Sequence, residues 1–304
     1  MKKIKIASAV EASAVAMGCW RYGEMENAEV VGLTETALSC GIDFFDTADI
    51  YAGGRSEELL GHAVNTLGVR ERVLIQTKCA IRKNMFDFSR EHILNSVDRS
   101  LKRLGPEYID ILLLHRPDAL MEPEEVAQAF DSLLTSGKVR HFGVSNHKPM
   151  QIRLLQSALH VPIIANQLQF SLTNTSMIDA GLNVNMEHDP ALDRDGSVLD
   201  FCRLQGITIQ AWSPLQYGVF AGTFLDNYEK FPELNRTLDR FAAEKGASKA
   251  AVAFAWILRH PARMQVIAGT TKPERLRELC ACSDITLSRA EWYELYLSAG
   301  NRLP

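Results

Sequence analysis

Four polar side chains close three successive strand-like runs of this chain, and their types suit proton transfer. Gly41-Ile42-Asp43-Phe44-Phe45-Asp46-Thr47-Ala48-Asp49-Ile50-Tyr51 supplies Asp46 and Tyr51, Val73-Leu74-Ile75-Gln76-Thr77-Lys78 ends in Lys78, and Ile109-Asp110-Ile111-Leu112-Leu113-Leu114-His115 ends in His115. A phenol, an ammonium, a carboxylate and an imidazole brought to one rim make a proton-donating site. The lysine is expected to lower the phenol's pKa, and the aspartate to keep the lysine charged and in place. Taken singly, each residue has a structural explanation, as a buried ion pair or a hydrogen-bonded core histidine. Only the set points to catalysis, because the roles fit one another. A metal centre built from His115, Asp118 and Asp46 is the competing chemistry. It lacks a His-x-His or His-Glu-x-x-His pattern, and Lys78 among the ligands would repel a cation, so no metal is expected.

The second half of the chain offers groups of another kind. Gly143-Val144-Ser145-Asn146 ends one run in a hydroxyl and an amide, and Gln167 ends the next in another amide. Ala211-Trp212-Ser213-Pro214-Leu215 adds an aromatic plate and a tight turn. Paired amides suit a carboxamide, and an indole face suits stacking on a ring. Gly269-Thr270-Thr271-Lys272-Pro273-Glu274-Arg275 opens a helix, where backbone amides with Thr270, Lys272 and Arg275 suit a phosphate. Trp20, Phe86, Phe88 and Tyr217, with the segment 171–196, are candidates for an apolar substrate wall.

These residues need a scaffold that turns strand ends toward one point. Strand candidates are Ala14–Gly18, Ile42–Asp46, Val73–Lys78, Ile109–His115, Val139–Val144, Ile163–Gln167, Ile207–Trp212 and Gln265–Ala268. Continuous apolar runs such as Ile111-Leu112-Leu113-Leu114 mark strands buried on both faces. Helical stripes alternate with them. Ser89 and Gly105 bracket one, Pro123 opens another that Gly137 ends, and Ser288 with Glu291 has capping-box spacing. Eight strand–helix units with right-handed crossovers close into a (β/α)8 TIM barrel, whose active face is the C-terminal rim. An open doubly wound sheet is disfavoured, since no Gly-rich phosphate fingerprint follows an early strand. The chain reads as a single domain over 1–304, with a long βα loop at 171–196 that could act as a lid.

Composition narrows the rest. Of 304 residues, 46% are hydrophobic and 23% charged, enough apolar surface for a large core. A net charge of −4 without basic clusters argues against nucleic acid as a partner. No apolar run reaches the roughly 18 residues of a membrane span. Glu11 interrupts the N-terminal alanine-rich stretch, which reads as a lead into the first strand and not as a signal peptide. Six cysteines without a Cys-x-x-Cys pair suit a reducing compartment, so a cytoplasmic location is expected. The sequence specifies no oligomeric state.

Residue by residue, the chain resembles the aldo-keto reductases, and especially the bacterial oxidoreductases of that family. The resemblance is carried by Met17-Gly18-Cys19-Trp20, the 41–51 stretch, Lys78, Leu113-Leu114-His115-Arg116-Pro117-Asp118, Gly143–Asn146, Gln167, Trp212–Leu215 and 269–276, in family order. It implies an NADPH-dependent reduction of aldehydes or ketones, with Asp46, Tyr51, Lys78 and His115 as the catalytic tetrad and Tyr51 as general acid. It also implies NADP(H) lying across Gly18, Cys19 and Trp20, with Ser145, Asn146 and Gln167 on the carboxamide and Trp212 on the nicotinamide. Ser213, Pro214, Leu215 and Gly269 would follow the cofactor, and Thr270, Lys272 and Arg275 would take its 2′-phosphate. The chain departs from the family in places: Cys19 stands where threonine is frequent, Trp212 where tyrosine often is, and Leu279 where an asparagine often meets the adenine, and the 171–196 insertion is longer than the resemblance implies. Two other functions remain open. One is a weakly catalytic NADPH-binding regulatory subunit, as some family members are. The other is a barrel lyase or isomerase gripping a phosphorylated substrate at Lys272 and Arg275.

Overall fold

The apolar runs close on themselves. A computed structural model describes residues 1–105, 107–218 and 221–304. An antiparallel hairpin, β1 (Lys3–Ile6) and β2 (Val10–Ser13), precedes the barrel. The barrel begins with β3 (Val15–Gly18), β4 (Phe44–Asp46) and β5 (Leu74–Cys79), from whose end rises a small hairpin of β6 (Ile81–Arg82) and β7 (Met85–Phe86). It continues through β8 (Ile109–Leu114), β9 (Val139–Ser145), β10 (Ile163–Gln169), β11 (Thr208–Trp212) and β12 (Gln265–Ala268), and β12 pairs back with β3. All eight barrel strands are parallel and form a closed barrel. Each lies within two residues of the bounds expected from the sequence.

Eleven helices among the described residues wrap the outside. They are α1 (Asn27–Ser39), α2 (Arg55–Leu67), α3 (Arg90–Leu104), α4 (Pro123–Thr135), α5 (Pro149–Gln156), α6 (Ser176–Leu182), α7 (Val198–Gln205), α8 (Pro232–Lys245), α9 (Lys249–Leu258), α10 (Pro273–Cys280) and α11 (Arg289–Ser298). Local chemistry sets their ends. Ser89 Oγ accepts the His92 N–H at the start of α3, and Gly105 takes a left-handed φ of 85° to stop it. Pro123 occupies the first turn of α4, and Ser288 and Glu291 form a reciprocal capping box on α11. The fold is therefore a (β/α)8 barrel. No helix among the described residues is long and apolar enough to cross a membrane.

Two apolar layers result. One lies between strands and helices, with Leu33, Leu60, Ile93 and Phe130 among its members. The other fills the lower barrel interior with Ala16, Phe44, Ile111, Leu113, Ile164 and Ile267, joined by Ile6 and Ala12 from the N-terminal hairpin. The residues expected only to lead into the first strand thus form a floor across the N-terminal end of the barrel.

The segment 171–196 also differs from the expected open loop. It contains α6 and a 3₁₀ turn at Asp189–Ala191, with Met177 and Ile178 buried. Tyr296 donates to Asp179 Oδ1 at 2.7 Å, Asn301 Nδ2 donates to the Leu172 carbonyl at 3.3 Å, and Ser171 Oγ donates to the Gln216 carbonyl at 2.9 Å. These bonds pin residues 171–179 to the C-terminal helix, to Asn301 just after it and to the turn after β11.

Candidate active site

Strand parity brings the four polar residues together. Gln76 and Lys78 are two apart on β5 and so face the same side, the barrel interior. Asp46 ends the neighbouring β4, and Lys78 is fully buried beside it. Lys78 Nζ donates to Asp46 Oδ2 at 2.8 Å, to the Thr47 carbonyl at 2.8 Å and to the Tyr51 hydroxyl at 3.2 Å. All three ammonium hydrogens are thereby assigned. Tyr51 is carried back over the mouth by a 3₁₀ turn in which Ala52 and Gly53 take left-handed φ values of 48° and 66°. His115, the residue after β8, meets Tyr51 edge-on, with ring centroids 5.8 Å apart at 78°. Its Nδ1 is buried without a hydrogen-bond partner among the described residues.

Behind the four residues, α2 is bolted to the strands. Glu57 is fully buried and accepts from Thr77 Oγ1 at 2.6 Å and from Arg103 Nε at 2.7 Å. Asp49 lies nearby. Burial and the Glu57 charge push its carboxyl up to about 7, against the pull of Arg103 and Arg99. Asp118, by contrast, accepts the backbone N–H groups of Phe88 and Leu120, which suits the turn expected after His115.

The electrostatics favour a neutral donor pair beside one fixed cation. Burial opposes the Lys78 charge, but Asp46 and Tyr51 outweigh it and lift the ammonium above its ordinary value. Burial, then Lys78 and Arg116, hold His115 well below its ordinary value, so it is neutral at pH 7. Tyr51 corrects an expectation. Lys78 does pull its pKa down, but burial and the Asp46 charge act the other way, and the phenol ends above its ordinary value. The group is therefore fully protonated at neutral pH, the state a proton donor requires.

The other side of the rim holds the amides. Ser145 Oγ donates to the Gln167 carbonyl at 3.1 Å, Asn146 Nδ2 donates to Ser145 Oγ at 2.8 Å, and Trp212 Nε1 donates to Asn146 Oδ1 at 3.2 Å. Those bonds fix the Asn146 amide and leave it one free N–H. Gln167 Nε2 turns inward to Asp46 Oδ1 at 3.0 Å, while its Oε1 has no partner among the described residues. One donor and one acceptor side by side match a carboxamide, so these residues fit a nicotinamide. Trp212 is half-buried, with the Arg116 guanidinium 5.9 Å from its ring centroid. Ser213 turns the chain with a left-handed φ of 49°, Pro214 is buried and Leu215 half-buried. Beyond the exposed Gly269, Thr270 Oγ1 accepts the Lys272 N–H at 3.1 Å at the start of α10. Lys272 and Arg275 are exposed there, and neither forms a salt bridge among the described residues.

Not every expected contact is placed for its role. Cys19 is fully buried. Its thiol faces the Met17 carbonyl at 3.7 Å, its N–H donates to the Asp46 carbonyl and its C=O accepts from the Tyr22 N–H, so each of its polar groups is engaged within the protein. Gly18 is needed for packing, since a Cβ there would come within 2.8 Å of Ile267. Leu279 is buried in the core. Of the expected wall, Trp20 and Phe86 are exposed, Tyr217 packs on Phe231, and Phe88 is core, stacked on His147 at 5.9 Å.

Three further residues belong to the site's surroundings. Gln76 Nε2 donates to Asp46 Oδ1 at 2.6 Å and to Gln210 Oε1 at 2.9 Å, both inside the barrel. His147 is buried, its Nδ1 against the Ser145 carbonyl at 2.9 Å, and burial lowers its pKa to about 4. The sequence signal for the two glutamines was an amide at an interior position of an otherwise apolar strand, and His147 directly follows Asn146.

Comparison with known proteins agrees with this geometry. A sequence model described as the aldo/keto reductase family matches residues 14–296. The oxidoreductase YcsN of Bacillus subtilis (strain 168), itself uncharacterized, is 36% identical over 97% of this chain and 97% of its own length. A 6-dehydroglucose reductase of Agrobacterium fabrum is 34% identical over 98% of both chains. Among solved structures, the thermostable aldo-keto reductase Tm1743, crystallised with the inhibitor epalrestat, superposes with a TM-score of 0.77 at 28% identity, covering 98% of this chain and 100% of that one.

Proposed function

The chain belongs to the aldo/keto reductase family, and from that premise we propose that it reduces aldehyde or ketone carbonyls to alcohols with NADPH as reductant. The observation that carries this reading is the Tyr51 hydroxyl held 3.2 Å from a buried, charged Lys78 and edge-on to a neutral His115. NADPH, when bound, supplies the hydride. Asn146 and Gln167 hold the carboxamide by one N–H and one acceptor, Trp212 offers its indole face, and Arg275 with Lys272 and Thr270 takes the 2′-phosphate.

Tyr51 hydrogen-bonds the carbonyl oxygen and gives it a proton as negative charge develops there. His115, being neutral, orients that oxygen without taking the proton first. Lys78 stabilises the phenolate left on Tyr51, and Asp46 keeps Lys78 charged. The relative named as a reductase supports reduction as the direction. Six unpaired thiols suit a reducing, cytoplasmic setting.

Tyr51→Phe is expected to lower turnover of a test aldehyde by roughly 10²–10⁴-fold, the usual worth of a general acid. Quenching of protein fluorescence by NADPH should be unchanged in the same variant. Wild-type turnover in Tyr51→Phe would show that another group donates the proton.

A further inference from the structure

Barrel interiors are normally packed with branched apolar side chains in layers. Here four buried glutamines stand beneath the site, on β5 (Gln76), β10 (Gln167), β11 (Gln210) and β12 (Gln265). Backbone register sets Asp46 beside Gln76, Gln167 beside Gln210, and Gln210 beside Gln265. The side chains form one connected chain. Gln76 and Gln210 exchange two hydrogen bonds, of 2.9 and 3.1 Å, across the barrel. Gln210 Nε2 also donates to Gln265 Oε1 at 2.8 Å, and Gln265 Nε2 donates to the Ser13 carbonyl at 2.8 Å. Gln76, Gln210 and Gln265 each have both side-chain polar atoms hydrogen-bonded.

The orientation of this chain is dictated from its upper end. A carboxylate only accepts, so the Gln76 amide must turn its Nε2 to Asp46 and its Oε1 away. That oxygen then needs a donor, which Gln210 supplies. Burying amides without partners costs free energy, and an apolar layer would have avoided the requirement. What the amides add is control of Asp46. Oδ1 takes hydrogen bonds from Gln76 at 2.6 Å and Gln167 at 3.0 Å, which leaves Oδ2 to Lys78 at 2.8 Å.

We propose that Gln76 is a positioning residue of the proton-transfer site, holding and partly neutralising Asp46 so that the Lys78 charge remains available to Tyr51, with Gln210 orienting Gln76. The proposal rests on the assignment of Tyr51 as proton donor. The sign of its effect follows from the charges. Asp46 acts on Tyr51 to raise its pKa and Lys78 to lower it. Without the Gln76 donor, the Asp46 charge is less compensated, and it draws Lys78 more strongly to itself. The phenolate then loses support, so the Tyr51 pKa rises and proton donation slows.

The test compares Gln76→Met, Gln210→Met and Gln265→Met with the parent protein. With NADPH and a test aldehyde, kcat in Gln76→Met should fall about tenfold, the scale of one hydrogen bond to a charged group. The alkaline limb of its pH profile should move upward, with the NADPH dissociation constant unchanged. Gln210→Met should show the same signs at smaller size, and Gln265→Met, two amides removed, no shift in the limb. A second readout needs no turnover: the titration of the Tyr51 ring carbon by NMR in protein labelled at tyrosine Cζ, assigned through Tyr51→Phe. Its midpoint should rise in the same order. Should Gln76→Met fail to fold, Gln210→Met carries the test. Equal limb shifts in all three variants, or none in either of the first two, would overturn the proposal and leave a structural amide layer. A shifted Tyr51 titration in a protein that turns over no carbonyl would overturn the reductase reading instead, while keeping the coupling.

Discussion

Asp49 is the residue whose environment most contradicts its charge. It sits three positions after Asp46, has one buried oxygen without a partner among the described residues, and faces the Glu57 carboxylate from α2. Burial and that neighbour lift it from an ordinary 3.8 to about 7, against Arg103 and Arg99. A carboxyl raised in the folded state stabilises the fold only while protonated. Its contribution is complete below the unfolded pKa and is lost as pH rises toward 7 and through it. The span bounds the loss at about 4 kcal/mol. Asp49→Asn should therefore raise Tm by several degrees at pH 8 and leave it unchanged near pH 3, as read by thermal melts across that range. An unchanged Tm at pH 8 would mean that the carboxylate is solvated in the folded protein. The same scale shows what the sequence conceals. Asp46, Lys78 and Tyr51 stood out because their types are reactive and they fall at strand ends. The direction of the Tyr51 shift did not, because it depends on how much water the fold removes from the phenol.

Among the elements, α10 is short and its first turn is crowded with donors. Pro273 occupies an early helical position, where its missing N–H costs nothing, and the Lys272 side chain at the N-cap makes no capping hydrogen bond to the N–H groups that follow. Arg275→Leu should weaken NADPH binding about 10–100-fold, the worth of one charge-assisted hydrogen bond, and leave NADH binding as it was. Fluorescence titration with each nucleotide separates the two, and equal weakening of both would move the phosphate contact elsewhere. The barrel strands and the caps of α3, α4 and α11 could be read in advance because their signals are local. Apolar runs, a serine before a stripe and a glycine after it each act within a few residues. The floor hairpin and α6 could not. Lys3-Ile4-Lys5-Ile6 is too short to announce a partner, and α6 has no side-chain cap and carries Gly181 within it. The glutamine chain was hidden for a similar reason, since Gln76 and Gln210 are 134 residues apart in sequence and meet only when the barrel closes.

At the scale of the whole molecule, closure joins distant parts of the chain, with β12 hydrogen-bonded to β3 and α11 tied to the 171–196 segment. We propose that residues 1–304 behave as one domain. Urea unfolding followed by tryptophan fluorescence, which reports on Trp212 at the rim and Trp256 in the outer layer, should coincide with the loss of far-UV circular dichroism. Two separated transitions would divide the chain. The floor formed by Ile6 and Ala12 closes the lower end of an interior already filled with apolar side chains, so approach to the buried Asp46 and Lys78 is left to the C-terminal rim.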